Sequence, residues 1–241
     1  MSPTHPILEL YAKRHTIRRY RQEPLAEGDL ERIVAAGQQA PTGGAVQIYS
    51  IVRITDSALR DQLSRLSGDQ AHIREAAEFF VFCVDVHRAG QLLEQSGTAF
   101  AAGPLVTVHY GTMEVLLAAA NVATAAEALG YGTCFIGAIL DHLDVIAGAL
   151  QLPQGVVPVV GLTVGVPDED VAALHRPRLP QALILHENTY GTTTPKDLKM
   201  AREAMGEAWV VTLQRFLGPN GILARREPVW RRTLTQQGFE H

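Results

Sequence analysis

Hydrophobic positions along the chain fall into short runs of two kinds. The run Phe79-Phe80-Val81-Phe82-Cys83-Val84-Asp85-Val86 is apolar almost throughout, which suits a strand buried on both faces. Ile48 to Thr55, Thr133 to Ile136 and Val156 to Val166 are further strand-like runs, rich in β-branched residues. Between them the apolar residues recur at helical spacing. Glu27 to Gln39 places Leu30, Ile33, Val34 and Gly37 on one face. Residues 7–13, Ser57 to Leu66, 71–78 and Asp141 to Leu150 also read as helices, with Asp141 as an N-cap candidate. Pro195 to Phe216 reads as one long helix with proline near its start, and 217–241 as a basic, irregular tail. No repeat and no linker interrupts this order. It predicts a single α+β domain built on a mixed, mainly antiparallel sheet flanked by helices.

One stretch departs from amphipathic spacing. Residues 113–130 contain seven alanines and are apolar or small nearly all round, so the helix should be buried nearly all round. Glu114, Asn121, Thr124 and Glu127 interrupt it, which argues against a membrane span. It is either a central core helix or a subunit-interface helix. On the second alternative, arginine at Ala119 or Ala123 would break a dimer.

Charge narrows the choice of function. The 241 residues carry a net charge of −4, so general nucleic-acid affinity is not expected. The basic residues are 18 arginines and three lysines, Lys13, Lys196 and Lys199. Two stretches concentrate them beside hydrogen-bonding partners: Arg14-His15-Thr16-Ile17-Arg18-Arg19-Tyr20 and Arg176-Pro177-Arg178. Guanidinium groups donate paired hydrogen bonds to phosphate or carboxylate. If the fold joins the two stretches, they form an anion pocket for a phosphorylated cofactor. Cys83 and Cys134 sit in separate apolar runs and the nine histidines lack zinc spacing, so neither a disulfide nor a metal is expected. The opening Met1 to Pro6 has no apolar segment, which leads to a cytoplasmic expectation.

Other chemistries find no support. There is no nucleophile elbow, no phosphate-binding P-loop, and no glycine-rich dinucleotide turn after the first strand. What remains suits an enzyme whose chemistry lives in a bound cofactor.

Several short motifs follow one another in order. The Arg14 to Tyr20 stretch is followed by Glu23-Pro24-Leu25. Next comes Ala40-Pro41-Thr42-Gly43-Gly44-Ala45-Val46-Gln47. Ala126-Glu127-Ala128-Leu129-Gly130-Tyr131-Gly132 leads to Phe135-Ile136-Gly137, and Val157-Pro158 to Gly165-Val166-Pro167. In this order the motifs resemble the nitroreductase family of flavin enzymes, with Ala45 where the family has Asn. Arg53-Ile54-Thr55-Asp56, Ala76-Ala77-Glu78-Phe79, Arg176 to Pro180 and His186-Glu187-Asn188-Thr189-Tyr190 carry a likeness to its NADPH nitroreductase and NADPH–flavin oxidoreductase subgroup.

The resemblance implies a nitroreductase-like fold completed in a homodimer, with residues 1–190 as the FMN-binding domain and 191–241 as its C-terminal extension. It implies that the FMN phosphate meets Arg14, Thr16, Arg176 and Arg178, with His15 beside them, and that Arg18 lies at the pyrimidine edge as electrostatic support. Thr42, Gly43 and Gln47 belong to a loop near the isoalloxazine, Gln70 bonds the ring or ribityl chain, and Phe135, Ile136, Gly137 and Ala138 line the flavin. The activity implied is ping-pong hydride transfer through flavin N5, from NADPH ahead of NADH, to nitroaromatics or quinones. Reduction of free FMN, or flavin binding with little turnover, are the alternatives. Arg202, Arg215, Arg225 and Arg226 are candidates for the 2′-phosphate, with none singled out. The partners implied are a second copy of the chain and small electron acceptors.

Overall fold

The computed structural model describes residues 5–168 and 176–239. They belong to two compact units, Met1–Ala173 with Val229–His241, and Leu174–Pro228. The first holds a four-stranded sheet: β1 (Tyr49–Arg53), β2 (Glu78–Asp85), β3 (Gly132–Ile136) and β4 (Val156–Gly165), in the order β1-β2-β4-β3. All three pairings are antiparallel, the predominant kind expected. The apolar run of β2 is buried at every residue, as its composition demands, and Phe79, Phe80 and Phe82 are the largest side chains of the core. The β2–β4 register slips between Phe82 and Cys83, where Pro158 lies opposite. A proline cannot donate to the ladder, so a central strand admits it only at such an irregularity.

Helices cover the sheet. In the first unit these are α1 (Pro6–Lys13), α2 (Asp29–Gln38), α3 (Ser57–Leu66), α4 (Ala71–Glu75), α5 (His87–Gln95), α6 (Pro104–Ala128) and α7 (Leu143–Ala149). The second unit holds α8 (Pro195–Met205) and α9 (Glu207–Leu217), and α10 (Ile222–Gln236) begins in it. Four sequence expectations need correction. The long helix expected over Pro195 to Phe216 is two helices, because Gly206 takes a φ of 77° that ends the first. The tail is not irregular: α10 occupies most of it, with Pro228 inside the helix. Asp141 does not cap a helix, since Gly137–Asp141 is a 3₁₀ turn and α7 starts after His142. The alanine-rich helix starts at Pro104, nine residues earlier than its composition suggested.

α6 takes the core role with one face only, so it is not buried nearly all round as its composition suggested. Val115, Ala118, Ala119, Val122 and Ala126 are buried in the packing against β2, β4 and α2. Leu105, Val106, Tyr110, Met113, Leu116 and Leu117 lie exposed. By length and composition the helix could cross a membrane, but one whole face is committed to the sheet. Ala119 and Ala123 belong to that inner face, so arginine there would break the core and say nothing of a dimer.

The first unit also depends on one close approach. A Cβ at Gly132 would lie 2.7 Å from Ile17 Cβ, and one at Gly165 would lie 2.9 Å from Tyr20 Cδ1. The segment before α2 can therefore lie flat on β3 and β4 only because both strands carry glycine there. Gly132→Ala is expected to destabilise the protein by about 1–3 kcal/mol through overpacking. Ile17→Ala in the same chain should recover part of that loss. Urea denaturation midpoints check both; an unchanged midpoint for Gly132→Ala contradicts the packing argument.

Candidate functional site

The segment from Arg14 to Arg21 is held by backbone and hydroxyl bonds. Ile17 N–H donates to the Thr133 carbonyl (2.9 Å) and Arg21 N–H to that of Val166 (2.9 Å). The buried Tyr20 hydroxyl donates to the Ile17 carbonyl (3.0 Å) and shares a bond with Thr163 Oγ1 (2.9 Å). Burial raises the Tyr20 pKa, so the phenol stays neutral and serves as a fastener.

Arg14 and Thr16 come together within the first of the two arginine stretches. Arg14 Nη2 donates to Thr16 Oγ1 at 3.3 Å. Behind them stands Glu127, whose Oε2 is 3.9 Å from Arg14 Nε and whose Oε1 accepts from Thr133 Oγ1 at 2.5 Å. Burial pushes the Glu127 carboxyl up, while the Thr133 hydroxyl and the charges of Arg14 and His15 pull it back down. His15 is half-buried, and its Nδ1 lies 3.0 Å from the Lys13 carbonyl. A carbonyl only accepts, so Nδ1 carries the proton of that bond.

Arg18 is exposed, and its charge is felt at Tyr20, His72 and Cys134. His72 is 5 % exposed and its Nε2 has no hydrogen-bond partner among the described residues. Burial, and then the Arg18 charge, lower its pKa to about 4, so a neutral imidazole sits beside the guanidinium. Gln70 begins the same turn, but its Nε2 donates to the Ser67 carbonyl at 2.6 Å. On β3, Phe135 faces outward between buried Cys134 and Ile136. The 3₁₀ turn then opens at exposed Gly137 and half-buried Ala138.

Thr42 and Gly43 lie on a loop fixed from below. The buried Glu114 of α6 accepts from Gly43 N–H (3.0 Å) with one oxygen and from Ile48 N–H (2.8 Å) with the other. One carboxylate thus satisfies both ends of the loop. Ala45 and Gln47 are held at φ 59° and 51°, a region that non-glycine residues enter at a cost and asparagine enters more readily. The Gln47 Nε2 donates to the Ala45 carbonyl at 3.4 Å, and the Gln47 carbonyl accepts from Arg88 Nη2 at 3.0 Å.

Arg176 and Arg178 belong to the second unit. Both are exposed there, and Arg178 Nη1 donates to the carbonyls of Arg176 (3.2 Å) and Pro177 (3.3 Å). Their phosphate role stays an expectation from the resemblance. Within the first unit, a cavity of about 1000 Å³ lined by α5, the segment before α6 and Gly238-Phe239 contains none of the expected site residues.

The site residues that sequence reasoning passed over are Glu114, Glu127, Thr133, Tyr20 and His72. Glu114 enters the sequence reading only as a polar interruption of an apolar helix, whereas Glu127 and Tyr20 also stand in motifs that carry the family resemblance. An acid in such a helix must find a partner when buried, and that was the legible signal. Thr133 and the His72 imidazole left no signal in the sequence.

The family model described as "Nitroreductase family" matches residues 11–166. The chain belongs to the nitroreductase family. It is 36% identical over 210 residues to the oxygen-insensitive NADPH nitroreductase of Salmonella typhimurium, covering 87% of this chain and 84% of that protein. It is 35% identical over 189 residues to the FMN reductase (NADPH) of Bacillus subtilis, covering 78% of this chain and 75% of that one. The fold is similar to that of the NADPH:FMN oxidoreductase from Vibrio harveyi complexed with NAD+, with a TM-score of 0.86, 28% identity, and 96% and 97% of the two chains covered. The nitroreductase-like fold expected from the motifs is therefore the fold observed.

His72 gives this site a pH signature. Its folded pKa, about 4, lies below the ordinary 6.5, so the unfolded chain takes up the proton first. Its contribution is present above pH 6.5 and is lost as pH falls from 6.5 toward 4. His72→Gln should flatten the pH dependence of stability in that window by ~2 kcal/mol at pH 4.5. Urea midpoints across the window measure this; parallel profiles for the two proteins contradict it.

Proposed function

We propose that this chain is an FMN-dependent NAD(P)H oxidoreductase that reduces small electrophilic acceptors, nitroaromatics and quinones among them. The observation that carries the reading is the Arg14–Thr16 pair, set 3.3 Å apart on a segment pinned to β3 and β4, with Arg18 two residues on. Arg14 and Thr16 offer a guanidinium and a hydroxyl for a phosphate, and Arg18 adds a second cation further along. That donor set fits a flavin mononucleotide, which has a phosphate at one end and an electron-accepting ring at the other. Bound FMN supplies a two-electron relay between nicotinamide and acceptor.

The chain's own residues do the holding. Arg14 and Thr16 bind the phosphate, His15 stands beside them, and Arg18 supplies positive charge where the ring gains electrons. Phe135 and the Ile136-Gly137-Ala138 turn present an apolar surface to the flavin, and the turn's amides are donors toward it. Thr42, Gly43 and Gln47, on the loop held by Glu114, approach the ring, and Gln70 reaches it by exchanging its Ser67 bond. Residues 1–190 carry this machinery and 191–241 extend it. The relatives named as an NADPH nitroreductase and an FMN reductase (NADPH) support the donor and the cofactor. The latter also favours free FMN as a second acceptor class.

The working form is a homodimer in the cytoplasm. Its support is the outer face of α6, where Leu105, Val106, Tyr110, Met113, Leu116 and Leu117 form an exposed apolar stripe of the kind that marks an interaction surface. Leu117→Arg should give a monomer by light scattering and lose FMN with it. A variant that stays dimeric with FMN bound contradicts this assignment.

Steady-state kinetics test the activity. NADPH should support turnover with nitrofurazone and menadione, with kcat/KM at least about tenfold above that for NADH, a difference of ~1.4 kcal/mol. A ratio near one rejects the donor preference. Turnover confined to free FMN shifts the function to the second acceptor class, and no turnover with any acceptor rejects the enzyme.

A further inference from the structure

Glu127 is a half-buried acid in a place where an acid ought to do harm. It lies next to Arg14 and Thr16, and a carboxylate repels an incoming phosphate. Yet its two oxygens are divided between two tasks. Oε1 accepts from Thr133 Oγ1, and Thr133 is the residue whose carbonyl takes the Ile17 N–H. Oε2 faces Arg14 Nε at 3.9 Å. The Glu127 side chain is 11% exposed and that of Arg14 31%, so the carboxylate sits behind the guanidinium. Because Nε faces Glu127, the Nη edge is the one turned to Thr16, where Nη2 makes its bond. That edge carries the paired donors that suit a phosphate.

We infer that Glu127 is a positioning residue, which holds the Arg14 guanidinium edge-on to Thr16 so that its paired donors face the phosphate of the cofactor. The inference rests on the reading of Arg14 and Thr16 as the phosphate site. An arginine side chain loses considerable rotamer freedom when ordered. A fixed carboxylate behind it absorbs that cost before the ligand arrives, which is preorganisation. Thr133 in turn fixes the carboxylate, so the strand, the acid and the base form one relay from backbone to ligand. The same geometry makes Glu127 matter for FMN and not for riboflavin, which has the ring and ribityl chain but no phosphate.

The test is a set of apoprotein titrations with FMN and with riboflavin, read by flavin fluorescence. The proteins are the wild type, Arg14→Gln, Glu127→Gln, the double variant and Thr133→Val. Glu127→Gln keeps the size of the side chain and an acceptor for Thr133, so folding is preserved, and riboflavin binding serves as its check. Arg14→Gln should loosen FMN about tenfold and riboflavin less than about twofold, in line with a charge-assisted contact. Glu127→Gln should loosen FMN about fivefold and leave riboflavin within about twofold. In the Arg14→Gln background the same change should alter FMN affinity less than about twofold, because coupled residues are not additive. Thr133→Val should follow Glu127→Gln at a smaller size. The inference is overturned if Glu127→Gln tightens FMN, weakens both flavins alike, or acts equally with and without Arg14. If Arg14→Gln leaves the FMN-to-riboflavin ratio unchanged, the phosphate reading itself fails, and the role of Glu127 falls with it.

Discussion

Everything proposed for this chain depends on a short extended segment lying flat against two strands. Arg14 to Tyr20 has no helix to stiffen it. Its geometry comes from the Ile17–Thr133 backbone bond, from the Tyr20 hydroxyl bridging Ile17 and Thr163, and from two glycines that let the segment approach. Each such bond contributes only about 1 kcal/mol net, but leaving its buried partner unmade costs more. The segment is therefore held chiefly because any other placement strands polar groups inside. That constraint fixes the backbone that carries Arg14, Thr16 and Arg18.

The second organising element is α6. Its inner face closes the core, its outer face offers an apolar stripe, and its two carboxylates hold two separate segments of the chain. Glu114 ties down the loop of Thr42 and Gly43, and Glu127 stands behind Arg14. A buried carboxylate is expensive unless its oxygens are satisfied. Both oxygens of Glu114 accept backbone amides, whereas Glu127 shares its load between a hydroxyl and a more distant guanidinium. The two acids thus stabilise in different ways: Glu114 fixes backbone, and Glu127 fixes a side chain.

Much of this was legible in the sequence, for identifiable reasons. The β2 run is apolar on both faces because it is the centre of the sheet. The helix expected over Ser57 to Leu66 has those limits, and Asp56 caps it by accepting from Leu59 N–H at 2.7 Å. The motif order gave the family and the candidates Arg14, Thr16 and Arg18. What was not legible is what depends on tertiary partners. Gly206 could have sat inside a helix at modest cost. The helix α10 carries a proline and many charges, so its sequence looks like a tail. Ala119 and Ala123 look like any small residues, and only the packing shows that they face inward. His72 looked like an ordinary polar side chain, and only its burial beside Arg18 makes it a neutral imidazole.

The central claim is that these donors hold a flavin which shuttles electrons from a nicotinamide. The most direct measurement is the visible absorption spectrum of the purified protein, reconstituted with FMN and kept free of oxygen. Bands of oxidised flavin should travel with the protein through a desalting column, bleach on addition of NADPH, and return when menadione is added. A protein that retains no flavin after reconstitution, or whose bound flavin keeps its colour in the presence of NADPH, contradicts that claim.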